Sequence, residues 1–219
     1  MYLKLDAELG SKFPGLSARI TSIHGVEITP QSLELEVFKK QLFKETAGKW
    51  NINDLKNKQV FRAYRDFFWK VRVDPTKTRP AAEALLRRIL LGNSLPTINT
   101  LVDTYNLASV TTSIPFGAFD LDRMRGEPIM REARPGEEFL GIGMEKSITL
   151  IGGEAVIEDD ERLIAVYPYR DADYSKVTTS TRNLLLITCG VPGVRDDVLS
   201  SAEVVCILYI KRFCGGTPA

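Results

Sequence analysis

A chain of 219 residues, 44% hydrophobic and 26% charged, is long enough for one well-buried core or two small lobes and has an ordinary globular composition. No apolar run approaches the roughly 20 residues that span a bilayer. The start, MYLKLDAELGSKF, carries Asp6 and Glu8 in place of an apolar stretch, so neither a membrane partner nor a secretory signal is expected, and a cytoplasmic location is.

The net charge of +1 conceals an asymmetry. Residues 1–110 hold 17 Lys and Arg against 11 Asp and Glu, residues 111–219 hold 12 against 17, and Lys39 to Arg88 holds 14 against 5. Such a block marks a polyanion-facing surface or, equally, a set of solvated helix faces.

In chain order, ARITSIH (Ala18 to His24) alternates after the Phe13-Pro14-Gly15 turn and predicts a strand. Thr29-Pro30 opens a helix with Leu35, Phe38 and Leu42 on one stripe, to about Ala47. A second, basic amphipathic helix starts near Asn53-Asp54, with Val60, Tyr64, Phe67 and Phe68 on one face and Lys56, Arg62 and Arg65 on the other. Its segment FRAYRDFFWK (Phe61 to Lys70) interleaves rings with cations as single-strand RNA platforms do, although rings at helical spacing are more often core. Pro80 and Gly92 punctuate a third helix, and a fourth runs from Asn99 to about Thr111.

Short strands follow, over Pro128 to Ala133, Ile148 to Leu150, Ala155 to Ile157, Leu163 to Tyr167 and Leu184 to Thr188, before a last helix opening at Asp197 or Ser200. Helices, then strands, then a helix predict an α+β fold, a mixed or antiparallel sheet with helical cover. The N-terminal portion, 1–95, is expected to be a strand plus three helices of the same module whose core is 96–219.

Most familiar chemistries lack their residues. Phosphate-loop, dinucleotide and nucleophile-elbow glycine motifs are missing. Cys189, Cys206 and Cys214 have no metal-ligand spacing and His24 is the only histidine, so no metal or cofactor is expected. Four adjacent carboxylates in EDDE (Glu158 to Glu161) diverge as consecutive side chains must, and predict a solvated turn. What remains is a set rich in hydroxyls and amides: Asn106, Ser109, Thr111, Thr112, Ser113, Arg170, Asp171, Thr178, Thr179 and Thr181. Such groups orient polar ligands or a water without being strong bases, and also serve as caps and turns.

Four motifs give this set a meaning. VDTYN (Val102 to Asn106), IPFGAFD (Ile114 to Asp120), REARPGEE (Arg131 to Glu138) and TRNLLL (Thr181 to Leu186) occur in the order, and with the Asn106 to Gly117 interval of 11, of the B3/B4 module of the phenylalanyl-tRNA synthetase beta subunit. The chain resembles that module over roughly residues 99–190. The resemblance implies a B3/B4-like fold and hydrolysis of a misacylated tRNA ester in a pocket without metal or triad.

Carried over by residue, it puts Asn106 and Thr181 in catalytic roles, and Pro115, Gly117 and Ala118 on the pocket turn. Thr111, Arg170, Thr179 and Thr188 join them as substrate-binding candidates, Arg170 as a bidentate anion grip. Two departures stand out. Gly117 replaces the family's His, and Ile187, or Thr188 with one residue of slippage, replaces the Glu that contacts a misattached tyrosine. A substrate other than Tyr-tRNA is therefore expected.

The partner so implied is the aminoacylated 3′ end of tRNA, with Lys56, Arg62, Arg65 and Lys70 on the backbone. Two other functions share these residues: a non-catalytic tRNA-binding protein, and a binder of, or enzyme for, a free amino acid or related metabolite.

Overall fold

A computed structural model describes all residues, Met1 to Ala219. Strand β1 (Lys4–Leu5) leads into α1 (Ala7–Lys12), whose Asp6 cap accepts from the amides of Glu8 and Leu9. Strand β2 (Ala18–Val26) precedes α2 (Leu33–Lys49), capped by Ser32. The basic helix expected from Asn53 is split: a 3-10 turn at Leu55–Asn57 comes before α3 (Gln59–Lys70). Next are α4 (Ala81–Leu90), with Pro80 at its N-cap, and α5 (Thr100–Thr112), with the Asn99 side chain capping Val102.

The strands β3 (Phe116–Asp120), β4 (Ile129–Glu132), β5 (Glu138–Phe139), β6 (Ile148–Thr149), β7 (Ala155–Glu158), β8 (Leu163–Val166), β9 (Arg170–Asp171) and β10 (Asn183–Cys189) follow. Helix α6 (Asp196–Cys214) and β11 (Gly215–Pro218) close the chain. The α+β expectation holds. Most expected elements are present to within a few residues, while β1, α1, β9, β11 and the strand character of β3 were not anticipated.

Two sheets carry the architecture. One is antiparallel, in the order β11-β2-β10-β3; the other, β1-β4-β7-β8-β9, is mixed, since β1 runs parallel to β4 and the other pairs are antiparallel. A two-stranded β5-β6 hairpin stands apart. Helices α5 and α6 pack together, and α6 also lies against β2 and β10.

The largest apolar core joins Leu3, Tyr64, Phe68, Phe119, Leu184 and Cys206, so it runs through both halves of the sequence, and β2 sits centrally in the sheet that holds β3 and β10. A second core, under α2, α4 and α5, includes Leu35, Leu86 and Leu107. Rings of α3 are core: Phe61, Tyr64, Phe67 and Phe68 are buried and only Trp69 is exposed.

The REARPGEE segment is a clamp. Arg131 donates to both oxygens of Glu137 at 2.8 and 2.6 Å and also pairs with Glu158, while Glu137 accepts from the Arg134 amide across the turn at Gly136, φ +89°. The guanidinium holds the Glu137 carboxyl below its ordinary pKa. In EDDE, Asp159 is buried and not merely solvated: it accepts from the amides of Arg125, Glu161 and Arg162 and the Tyr174 hydroxyl, and so ties the β7–β8 turn.

Candidate functional site

A cavity of about 170 Å³ opens where the two sheets meet α5. Strand β3 contributes Gly117 and Phe119, β10 contributes Ile187, and α5 contributes Tyr105 and Asn106. Across from them stand Tyr169 and Asp171 from β9 and its approach. The walls are mostly apolar, with Asn106 and Asp171 as the amide and carboxylate, both half-buried. Space of this size suits one amino-acid-sized group, since an apolar cavity of about 150 Å³ takes up benzene.

The two departures from the family pattern prove to be neighbours. Strands β3 and β10 pair so that Ile187 lies directly opposite Gly117, and both line the cavity. Alternation then turns Thr188 to the other face, where its hydroxyl is buried without a partner. Ile187, not Thr188, therefore occupies the pocket-facing position on β10. An alkyl wall stands where a carboxylate would accept from a phenol.

A carboxylate is present nonetheless, on a different strand. Both oxygens of Asp171 lie 3.6 Å from the point where a Cβ on Gly117 would sit. Absence of a side chain at 117 thus leaves room for Asp171 to face the cavity. No side-chain donor in the protein reaches this carboxylate, and burial pushes its pKa up to about 7. Burial, with Asp171 close by, raises the Tyr105 phenol far above its ordinary value and keeps it a protonated donor. Burial likewise raises the Cys189 thiol, which lines the same cavity, so it remains an unreactive thiol. His24 is exposed on β2 with Asn183 as its partner, outside the cavity.

The other expected site residues separate into two groups. Asn106, Pro115 and Gly117 meet at the cavity. Ala118 is buried on the opposite face of β3. Thr181 donates to Asp120 Oδ2 at 2.6 Å and accepts from the Thr178 amide, a buried brace outside the cavity that corrects the expectation of contact with substrate.

Thr111 is exposed on α5, bonded to the Leu107 carbonyl and facing the Tyr209 hydroxyl of α6. Thr179 is exposed in the loop before β10. Arg170 turns away from its neighbour Asp171, as successive strand residues do, and donates to the Ile142 carbonyl at 3.3 Å. These placements take Thr181, Ala118, Thr111, Thr179, Arg170 and Thr188 out of the pocket lining. Asp171, the functional candidate sequence reasoning passed over in favour of Arg170, was visible only as one member of the polar set.

Among the expected backbone-binding cations, Lys56, Arg62 and Lys70 are exposed. Arg65 is instead neutralised, donating to both oxygens of the buried Glu83 at 2.8 and 2.5 Å. Lys39, at the edge of the basic block, is buried too. It pairs with Asp103 at 2.9 Å and Glu36 at 2.7 Å, and is no part of an open surface. No cluster of three His, Cys, Asp or Glu stands ready for a metal. No helix is long and apolar enough to cross a membrane.

An α+β chain with a small, mainly apolar cavity between two sheets and a helix defines the class. The family model of the B3/4 domain matches residues 63–199, more than half of the chain, and the chain belongs to that family.

Sequence relatives include phenylalanine–tRNA ligase beta subunits. That of Psychrobacter arcticus is 36% identical over 97 residues, 44% of this chain and 12% of the ligase subunit. The Rhodopseudomonas palustris protein is 29% identical over 170 residues, 67% of this chain and 21% of that one. The chain therefore spans only a small part of the relatives it matches. An N-terminal fragment of the phenylalanyl-tRNA synthetase beta subunit from Pyrococcus horikoshii shares the fold over 99% of this chain and 49% of that one, with a TM-score of 0.53 and 12% identity.

Proposed function

We propose that this protein hydrolyses the ester of a misacylated tRNA in the β3–β10 cavity, with Asp171 as general base and Asn106 as the group that orients the ester or the attacking water. The observation that carries this reading is the unpaired Asp171 carboxylate beside Gly117, in a cavity of amino-acid size and with a pKa of about 7. A base serves best when its pKa lies near the working pH, because it is then deprotonated yet still accepts a proton readily.

In the step, a water O–H bond breaks and its proton passes to Asp171 as oxygen bonds to the ester carbon. Collapse of the tetrahedral adduct breaks the bond to the ribose oxygen, which takes up a proton as it leaves. Asn106 Nδ2 and the protonated Tyr105 phenol are the donors available to the developing oxyanion. Ile187 supports a substrate other than a tyrosyl ester, because the wall it forms offers a phenol no acceptor.

The decisive experiment incubates the protein and its Asp171→Asn and Asn106→Ala variants with a panel of mischarged tRNAs. Hydrolysis of at least one member is expected, lowered about 100-fold or more by Asp171→Asn. Intact substrates throughout would sink the reading. Stabilisation by a free amino acid with no hydrolysis would instead indicate a small-molecule binder.

A further inference from the structure

A second cleft, of about 200 Å³, lies on the other side of the start of α4 from the β3–β10 cavity. Its charged lining is Lys56, Arg65, Arg79, Arg87 and Glu83. Glu83 spends both oxygens on Arg65, so that pair is neutral. Lys56, Arg79 and Arg87 are left with no ion pair and no hydrogen-bonded partner, on one concave surface. Three uncompensated cations at such close range repel one another in the empty cleft, and a phosphate between them relieves that repulsion while accepting from two guanidinium forks.

Position adds to charge. Arg79 lines this cleft and Ala81 lines the cavity that holds Asp171. Two residues apart, their Cα atoms are separated by no more than about 7.6 Å. The cleft is also built partly from Ile52, Asn53, Leu55 and Lys56, which precede the segment matched by the B3/4 family model. It thus belongs to this chain's own N-terminal portion as much as to the family module.

We infer that Lys56, Arg79 and Arg87 form a phosphate site for the backbone of an RNA strand whose end lies in the β3–β10 cavity. The identity of the strand rests on the proposed function, whereas the affinity of the cleft for phosphate does not. Arg65 contributes through Glu83 to the shape of the site and adds little net charge.

The test measures the anisotropy of a fluorescein-labelled single-stranded RNA 12-mer, which carries no ester, across a range of salt concentrations. With Arg79→Gln/Arg87→Gln, affinity is expected to fall about tenfold or more and the log–log salt slope by about 2, near one unit for each lost phosphate contact. Arg79→Lys/Arg87→Lys retains most of the binding. Arg62→Gln/Lys70→Gln, equally exposed but outside the cleft, changes affinity less than about twofold.

Equal loss in both Gln doubles, or none in Arg79→Gln/Arg87→Gln, overturns the site. A parallel arm titrates inorganic phosphate alone by thermal shift. Binding of inorganic phosphate abolished in Arg79→Gln/Arg87→Gln, with RNA binding unaltered, overturns the RNA assignment. Because the 12-mer has no ester, a failed deacylation panel leaves this result standing.

Discussion

A Cβ on Gly117 would lie 3.6 Å from both carboxylate oxygens of Asp171 and 3.5 Å from Phe119 Cε2, so the missing side chain of one residue is the open space of the other. Position 117 is not in the left-handed region, and these separations are ordinary van der Waals contacts.

Gly117→Ala is therefore expected to fold normally, with stability changed by less than about 1 kcal/mol, while narrowing the cavity and weakening hydrolysis. Gly117→His sets an imidazole against Asp171, and its positive charge favours the ionised carboxylate. The acid limb of the pH–rate profile, with a midpoint near 7 in the wild type, is expected to move to lower pH. A profile unchanged in Gly117→His would show that Asp171 is not the titrating base.

Asp171 itself makes stability depend on pH. Its folded pKa, about 7, lies above the ordinary carboxylate value of 3.8. The folded state holds this proton more tightly than the unfolded one, so the contribution of Asp171 to stability falls as pH rises from about 4 to about 7 and is constant above. Asp171→Asn removes that penalty. Chemical denaturation is expected to show the variant more stable by about 1–3 kcal/mol at pH 8, with the difference vanishing toward pH 4.

Thr181 and Asn106 were joined by sequence, but their variants should part company. Thr181→Ala strips a donor from the buried Asp120 and an acceptor from the Thr178 amide. A loss of about 1–3 kcal/mol is expected, partly restored by Thr181→Ser, with turnover by the folded fraction altered only a few-fold. Asn106 makes no hydrogen bond to the protein and faces the cavity, so Asn106→Ala should leave Tm nearly unchanged and lower kcat/KM. Thermal melts beside single-turnover assays separate the two.

Lys39 and Asp103 test whether the edge of the basic block is structural. With side chains 6% and 2% exposed, losing one partner strands a buried charge. Lys39→Met is expected to cost about 3–5 kcal/mol. Adding Asp103→Asn recovers part of this, since the amide oxygen still accepts from the Ile98 amide where Asp103 does now. RNA affinity of the folded protein should be untouched, measured with the same labelled 12-mer.

Much of the fold was legible because local signals agreed: Pro80 before α4, Asn99 before α5, alternation in β2, and apolar stripes at helical spacing on α3. Strand β3 was read as a turn. Pro115 and Gly117 are poor strand residues, and five consecutive buried positions leave no alternation to see. The short pieces β1, β9 and β11 owe their pairing to distant partners.

By itself, the sequence determined the α+β class, the family pattern, the place of Asn106, Pro115 and Gly117 in one pocket, and the loss of the family's His and Glu. Each is a matter of residue identity and local spacing. Only the tertiary structure decided that Ile187 and not Thr188 faces that pocket, since this is a question of register between β3 and β10. It also decided that Asp171 and not Arg170 enters it, that Thr181 braces Asp120, and that Glu83 silences Arg65 while Arg79 and Arg87 stay unpaired. Charge and hydroxyl chemistry are written in single residues, but which of them remain free to act depends on partners brought close by folding.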